Sequence, residues 1–191
     1  MFFNTITTMV HQLLRSYIQP GQIFVDATVG NGYDTLFLAQ SVGENGRVIG
    51  FDIQEKALEE ALKKIKKEGV EDRVSLIHDC HSKLDCYIKD PIDGAMFNLG
   101  YLPKGDSTII TTAETTLQAL RKSISLLKPG GIITVISYYG HDGGEEEKKA
   151  VDQYLKNINE KEMTVGCFSF INRHHYPPIL YIIEKRKNRK K

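Results

Sequence analysis

The segment Asp26-Ala27-Thr28-Val29-Gly30-Asn31-Gly32-Tyr33-Asp34-Thr35 sets two glycines between carboxylates, and Asp52 follows Gly32 by twenty residues. Gly30 and Gly32 let the backbone approach a ligand with no Cβ in the way. A carboxylate at the spacing of Asp52 can accept hydrogen bonds from both hydroxyls of a ribose. A pyrophosphate fits poorly. A dinucleotide loop wants a third small residue where this one has Asp34-Thr35, and Asp26 and Asp34 would repel an anion. The acids suit a cationic ligand, and S-adenosylmethionine, which carries a ribose, an ammonium and a sulfonium, is preferred to NAD. Taken alone, Asp26 also reads as a carboxylate capping nearby backbone amides.

Further groups able to do chemistry recur at the ends of apolar runs. His78-Asp79-Cys80-His81 holds two histidines, an acid and a thiol, but no obvious further ligands accompany them, so no metal is expected. Cys80 and His81 are read as neighbours of adenine or methionine, and His78, still inside its run, as a core histidine. Asn98-Leu99-Gly100-Tyr101-Leu102-Pro103 places an amide at the end of another run and an aromatic three residues on. It resembles the Asn/Asp-Pro-Pro-Tyr/Phe motif of methyltransferases acting on nitrogen in nucleic acids. In that motif the Asn oxygen and a following backbone carbonyl accept hydrogen bonds from the target amine, and the aromatic ring stacks on the base. Leu99 and Gly100 stand here in place of the two prolines, and a plain loop with an Asn turn is the alternative. Ser137-Tyr138-Tyr139-Gly140-His141-Asp142-Gly143-Gly144 suits a base-holding pocket. Arg173, His174, His175 and Tyr176 add cationic and aromatic groups.

The elements that must position these residues alternate. Ile23–Val25, Val48–Phe51, Val74–Ile77, Ala95–Phe97 and Ile132–Ile136 are short apolar runs of the kind found in buried parallel strands. Helices are expected at about 5–17, 54–67, 109–127 and 144–158. The second of these has Ala57, Leu58, Ala61, Leu62 and Ile65 on one face. Lys128-Pro129-Gly130-Gly131 is expected to stop the third helix and turn the chain into the next strand. Strands at 163–170 and 179–183 are joined by a loop too short for a helical crossover, which makes them antiparallel. The pattern predicts an α/β fold: a doubly wound, Rossmann-like, seven-stranded sheet, mostly parallel with an antiparallel terminal hairpin. Ligands then belong at the carboxyl ends of the strands.

The chain has 191 residues, and its 41% hydrophobic and 26% charged composition is that of one globular domain with a sizeable core. No apolar run reaches the roughly 18 residues of a membrane span. The start lacks signal-peptide features, so a cytoplasmic location is expected. Three cysteines, odd in number and without a CxxC pair, read as reduced thiols. Lys185–Lys191 holds six of the 25 basic residues, which leaves 19 basic against 24 acidic residues, or net −5, over residues 1–184. An acidic domain at 1–184 thus carries a basic tail at 185–191. The tail is read either as a solvated end or as a contact to phosphate outside the cleft.

Taken together, Asp26–Thr35, Gly50-Phe51-Asp52-Ile53-Gln54, Phe97–Pro103, Tyr139–Gly144, Asn172-Arg173 and Pro177-Pro178 resemble one small bacterial family over nearly the whole chain. Its members, long labelled putative rRNA methylase, are assigned as tRNA 5-(aminomethyl)-2-thiouridine methyltransferases within the class I S-adenosylmethionine-dependent superfamily. The resemblance implies methylation of the aminomethyl nitrogen of a wobble uridine, with the tRNA anticodon region as partner and a homodimer as an expectation from small relatives. It implies cofactor contacts at Asp26, Gly30, Asn31, Gly32, Asp34, Thr35, Asp52, Ile53, Gln54, Cys80 and His81. Asn98, Tyr101 and His141 are the catalytic candidates, His141 as the most plausible base. Leu99, Gly100, Tyr138, Tyr139, Arg173 and Tyr176 fall on the acceptor side. The alternatives are a ribosomal RNA or other base N-methyltransferase, and a non-catalytic RNA-binding module of the same fold.

Overall fold

In the computed structural model, which describes residues 5–100 and 110–187, seven strands form one sheet. They are β1 (Ile23–Asp26), β2 (Arg47–Asp52), β3 (Val74–His78), β4 (Ile92–Leu99), β5 (Leu127–Ser137), β6 (Met163–Phe168) and β7 (Ile179–Lys185). Their order across the sheet is β3-β2-β1-β4-β5-β7-β6. β1 pairs in parallel with β2 and β4, and β3 and β5 extend the parallel set outward. β7 is antiparallel to both β5 and β6. Only β7 is reversed, because it inserts between its hairpin partner and β5, so β6 runs with the parallel set. The order turns back on itself between β1 and β4, which opens a crevice at their carboxyl ends.

Helices cover both faces: α1 (Ile6–Arg15), α2 (Tyr33–Val42), α3 (Glu55–Lys67), the short α4 (Leu84–Tyr87), α5 (Ala113–Leu126) and α6 (Gly144–Lys156). Alternation along each central strand explains the unbroken apolar runs. Phe24 and Val48 pack with Val10, Phe37 and Ile65 on the face of α1–α3, while Val25 and Ile49 pack with Leu84, Leu120 and Val151 on the face of α4–α6. A strand buried on both faces cannot show a polar-apolar period.

Several expected boundaries move for local reasons. Thr112 caps α5 by accepting from the Thr115 N–H, so the helix starts at Ala113 and Ile110-Thr111 stay extended toward the crevice. Ile109 lies outside the described residues. Lys128–Gly131 does not leave the sheet. These residues form an irregularity within β5, where the pairing with β4 jumps from Ile92↔Leu127 to Gly94↔Ile132. Pro and Gly are tolerated in a strand at such a bulge. β4 reaches Leu99, so Asn98 belongs to the strand rather than to the loop after it. His78 is exposed rather than core, and one ring nitrogen lies 3.0 Å from the Ile53 carbonyl oxygen. Leu62 is 40% exposed, on the outer edge of the α3 stripe.

α1 follows from its spacing. Ile6, Val10 and Leu14 recur every four residues and are buried, and the Thr5 hydroxyl accepts from the Thr8 N–H at 3.1 Å. That stripe docks the helix and carries His11, beside Val10, inward.

Candidate active site

A cavity of about 810 Å³ opens at the carboxyl ends of β1–β5. One half of its wall comes from the loops after β1, β2 and β3. Gly30, Asn31, Asp52, Ile53, Gln54, Cys80 and His81 all line it. Asp52 accepts from the Gly30 N–H at 2.8 Å and the Gln54 N–H at 2.9 Å, so one carboxylate ties the glycine turn to the loop after β2. Lys64 donates to the Asn31 carbonyl at 2.7 Å and lies 3.0 Å from the centre of the Tyr33 ring, holding the rim of the same loop. Burial pushes the His81 pKa down. Its Nδ1 lies 2.9 Å from the Ala27 carbonyl, so the proton sits there, and Nε2 has no protein partner. Asp79 also lines the wall. It is held well below the ordinary carboxylate pKa by hydrogen bonds from Lys83, Tyr87 and the Cys80 N–H.

Three residues expected at the ligand, Asp26, Gly32 and Thr35, are not among those that line the cavity. Asp26 is fully buried; it accepts from the Thr28 N–H at 3.1 Å and from the Thr35 hydroxyl at 2.6 Å. Burial, and next the charge of Asp34, push its pKa up to about 7. Asp26 and Thr35 therefore pin the turn from below, as the capping reading of Asp26 anticipated. Gly32 has φ +72°, and a Cβ there would come 2.6 Å from the Ala61 Cβ, so its bareness serves the packing of α2 on α3.

The other half of the wall comes from β4, β5 and the last hairpin. Asn98, Leu99, Gly100, Tyr138, Tyr139, His141 and Tyr176 line it, with Ile110 and Thr111. Tyr101 lies outside the described residues. Tyr176 meets Tyr139 edge to face at 5.5 Å, while Arg173 is not among the lining residues and lies 3.8 Å from the Phe170 ring centre. His141 donates through Nδ1 to the Asp142 carbonyl at 3.0 Å. Beneath these loops Thr111 accepts from the Gly100 N–H at 2.9 Å and donates to Glu147 at 2.8 Å, and Thr116 donates to Glu147 at 2.6 Å. Burial raises the Glu147 pKa, against the opposing hydrogen bonds of both threonines.

Asp34 joins the two halves. It lines the cavity, yet one oxygen lies 2.5 Å from His11 Nε2 and the other accepts from the Asn98 amide nitrogen. Asn98 is further fixed by its N–H, which donates to the Thr28 hydroxyl at 2.8 Å. Its Oδ1 has no protein partner. An ionised carboxylate only accepts, so the amide nitrogen must face Asp34 and the oxygen is left to receive a donor. His11, Thr111 and Glu147 were not singled out from the sequence. The available signal for His11 was a polar ring beside a buried stripe; for the other two, only distant contacts reveal them. Among the described residues no group of three or more His, Cys, Asp or Glu is placed to hold a metal ion.

Comparison with known proteins bears on this arrangement. Residues 48–184 match the family model described as "Putative rRNA methylase". A chloroplastic tRNA (mnm(5)s(2)U34)-methyltransferase of Arabidopsis thaliana is 36% identical over 95% of this chain and 70% of its own length. A putative rRNA-methylase of Clostridium thermocellum superposes with a TM-score of 0.94 at 49% identity, over 97% of this chain and 100% of that one. A putative methyltransferase of Streptococcus mutans in complex with SAH superposes with a TM-score of 0.87 at 36% identity, over 96% and 99%. The chain belongs to the putative rRNA methylase family, whose fold is that of the S-adenosylmethionine-dependent methyltransferases.

Proposed function

We propose that the protein transfers a methyl group from S-adenosylmethionine to the aminomethyl nitrogen of 5-aminomethyl(-2-thio)uridine at the wobble position of tRNA. The observation that carries the reading is Asn98, whose amide is oriented by Asp34 so that its oxygen is left to accept from an amine. The identity of the amine is supported by the Arabidopsis relative, whose name carries mnm(5)s(2)U34, the uridine that methylation of this aminomethyl nitrogen would produce. The loops after β1, β2 and β3 hold the cofactor, with Asp52 toward the ribose and the Ile53 side chain and Cys80 toward adenine. Asn98, Tyr138, Tyr139 and Tyr176 receive the nucleoside at the anticodon loop, where aromatic rings suit an unstacked base.

The cofactor supplies a methyl group on a sulfonium, already a good leaving group. The amine lone pair forms the new N–C bond as the C–S bond breaks, its electron pair stays on sulfur, and the methylated nitrogen sheds a proton. The protein contributes orientation and removal of water. A primary aliphatic amine is largely protonated at pH 7, so binding must favour its neutral form. Desolvation in the cavity and the nearby sulfonium charge both act in that direction.

The test is mass spectrometry of tRNA nucleosides from cells lacking the protein, together with methylation of purified tRNA by the isolated enzyme. Accumulation of the unmethylated aminomethyl nucleoside is expected, as is activity only on tRNA that carries the aminomethyl group. An unchanged nucleoside profile removes this reading. The family description favours one alternative target, ribosomal RNA, and methylation of ribosomal RNA in the same assay would establish it.

A further inference from the structure

α1 lies outside the βα succession that builds the sheet, yet it sets Thr7 in the cavity wall and brings His11 to Asp34 behind it. His11 stacks on Phe37 of α2 with ring centres 4.0 Å apart and planes 7° apart, which fixes the plane of the imidazole. In that plane Nε2 reaches one oxygen of Asp34. The pair is shielded: the His11 side chain is 22% exposed and that of Asp34 is 8%. The second oxygen of Asp34 takes the Asn98 amide nitrogen. Three side chains from α1, α2 and β4 thus form one directed chain that ends at the unpartnered Asn98 Oδ1.

We propose that His11 and Asp34 are positioning residues which hold the Asn98 amide in its productive orientation. The inference rests on the reading that Asn98 receives the acceptor amine. A primary amide can turn over and present either end. With the oxygen toward the amine, it accepts an amine N–H and leaves the nitrogen lone pair free to attack. With the NH2 toward the amine, it donates into that lone pair and occupies the electrons the reaction needs. Asp34 forbids the second orientation because a carboxylate offers no proton to the Asn98 oxygen. His11 in turn keeps Asp34 in place, since its donated hydrogen bond engages the oxygen not used by Asn98.

Two variants separate this role from simple packing. His11→Phe keeps a ring against Phe37 and removes the donor; His11→Gln gives up the ring and keeps an N–H near the position of Nε2. Positioning predicts that His11→Phe lowers kcat by about tenfold or more, while the KM for S-adenosylmethionine and the affinity for S-adenosylhomocysteine stay within about twofold. His11→Gln returns kcat to within about threefold of wild type. The opposite order, with His11→Phe active and His11→Gln impaired, overturns the proposal in favour of a packing role.

Asp34→Asn provides a second route should His11→Phe melt below the assay temperature. An amide at position 34 can turn either end toward Asn98 and no longer dictates its orientation, so kcat falls even at saturating S-adenosylmethionine. Wild-type turnover in Asp34→Asn also overturns the proposal. Asn98→Ala tells the two levels apart. If it turns over like wild type, the acceptor reading itself is wrong. If it is impaired while His11→Phe and Asp34→Asn are not, only the positioning role is lost.

Discussion

Asp52 is held by the Gly30 N–H, 22 residues before it, and by the Gln54 N–H, two residues after it. Asn98 is held by Asp34, 64 residues earlier, and by Thr28, 70 residues earlier. The two halves of the cavity differ at these two anchors. The half proposed for the cofactor is assembled from strand-end turns whose hydrogen bonds close within one or two βα units. The acceptor half depends on supports from α1, α5 and α6, three helices drawn from both faces of the sheet. Damage to the first half should remove ligand binding outright, whereas damage to the second should leave binding and spoil alignment.

The largest effect is expected in Asp52→Ala. This change strips two backbone N–H groups of their charged acceptor, each such bond being worth about 1.5–3 kcal/mol. Affinity for S-adenosylhomocysteine should fall by about 100-fold or more, measured by calorimetry. An affinity within threefold of wild type would show that the turn holds its shape without the carboxylate and would break the contrast. Next comes Thr111→Val, which keeps the side-chain volume but removes the acceptor of the Gly100 N–H and one donor to Glu147. Turnover should fall by about tenfold, with a stability loss of about 1–2 kcal/mol. Cofactor affinity should not change, and a parallel loss of affinity would show that the halves are not separable.

How much of this was legible depended on the same distinction. The glycine turn, Asp52 and the alternation of strands and helices are written in residues close together in sequence, so motif and period were enough to find them. The order β5-β7-β6, the bulge at Lys128–Gly131 and the role of His11 are set by pairing and packing between distant segments, to which spacing along one strand or helix is blind. Asp26, Gly32 and Thr35 show the converse limit. The motif groups them with the residues of the cavity wall, but whether a side chain faces the cavity or braces the turn from behind depends on contacts such as Gly32 with Ala61.

Asp26 gives a smaller effect, read as a pH dependence. Its folded pKa, about 7, lies above its ordinary value of 3.8. The folded state therefore holds a proton that the unfolded chain releases, and stability falls as pH rises through that interval. Asp26→Asn, neutral at every pH and able to keep the Thr28 bond, should melt a few degrees above wild type at pH 8 and close to it at pH 4. Equal melting temperatures at pH 8 would mean that the Thr35 and Thr28 bonds fully offset the burial of the charge.

The smallest effect concerns the basic tail. β7 runs opposite to β5, pairing Ile179 with Ser137 at the cavity end and Glu184 with Ile132 at the far end. Lys185 accordingly donates to the carbonyls of Ile124 and Leu127, at the edge away from the cavity. A chain truncated after Lys187 should keep kcat on a minimal anticodon stem-loop. At low salt its KM for full-length tRNA should rise by no more than about threefold. A large loss on the stem-loop would place the tail at the modified nucleoside, a direction opposite to that set by Lys185.

The position of α1 has a practical consequence for handling the molecule. Thr7 lines the cavity, and its hydroxyl lies 3.5 Å from that of Tyr138, so a purification tag or fluorophore joined directly at Thr5 would start beside the cavity proposed to receive the nucleoside. The same addition after Lys187 would leave from the opposite edge of the sheet. For surface immobilisation or labelled binding assays, attachment at that end keeps the entrance clear.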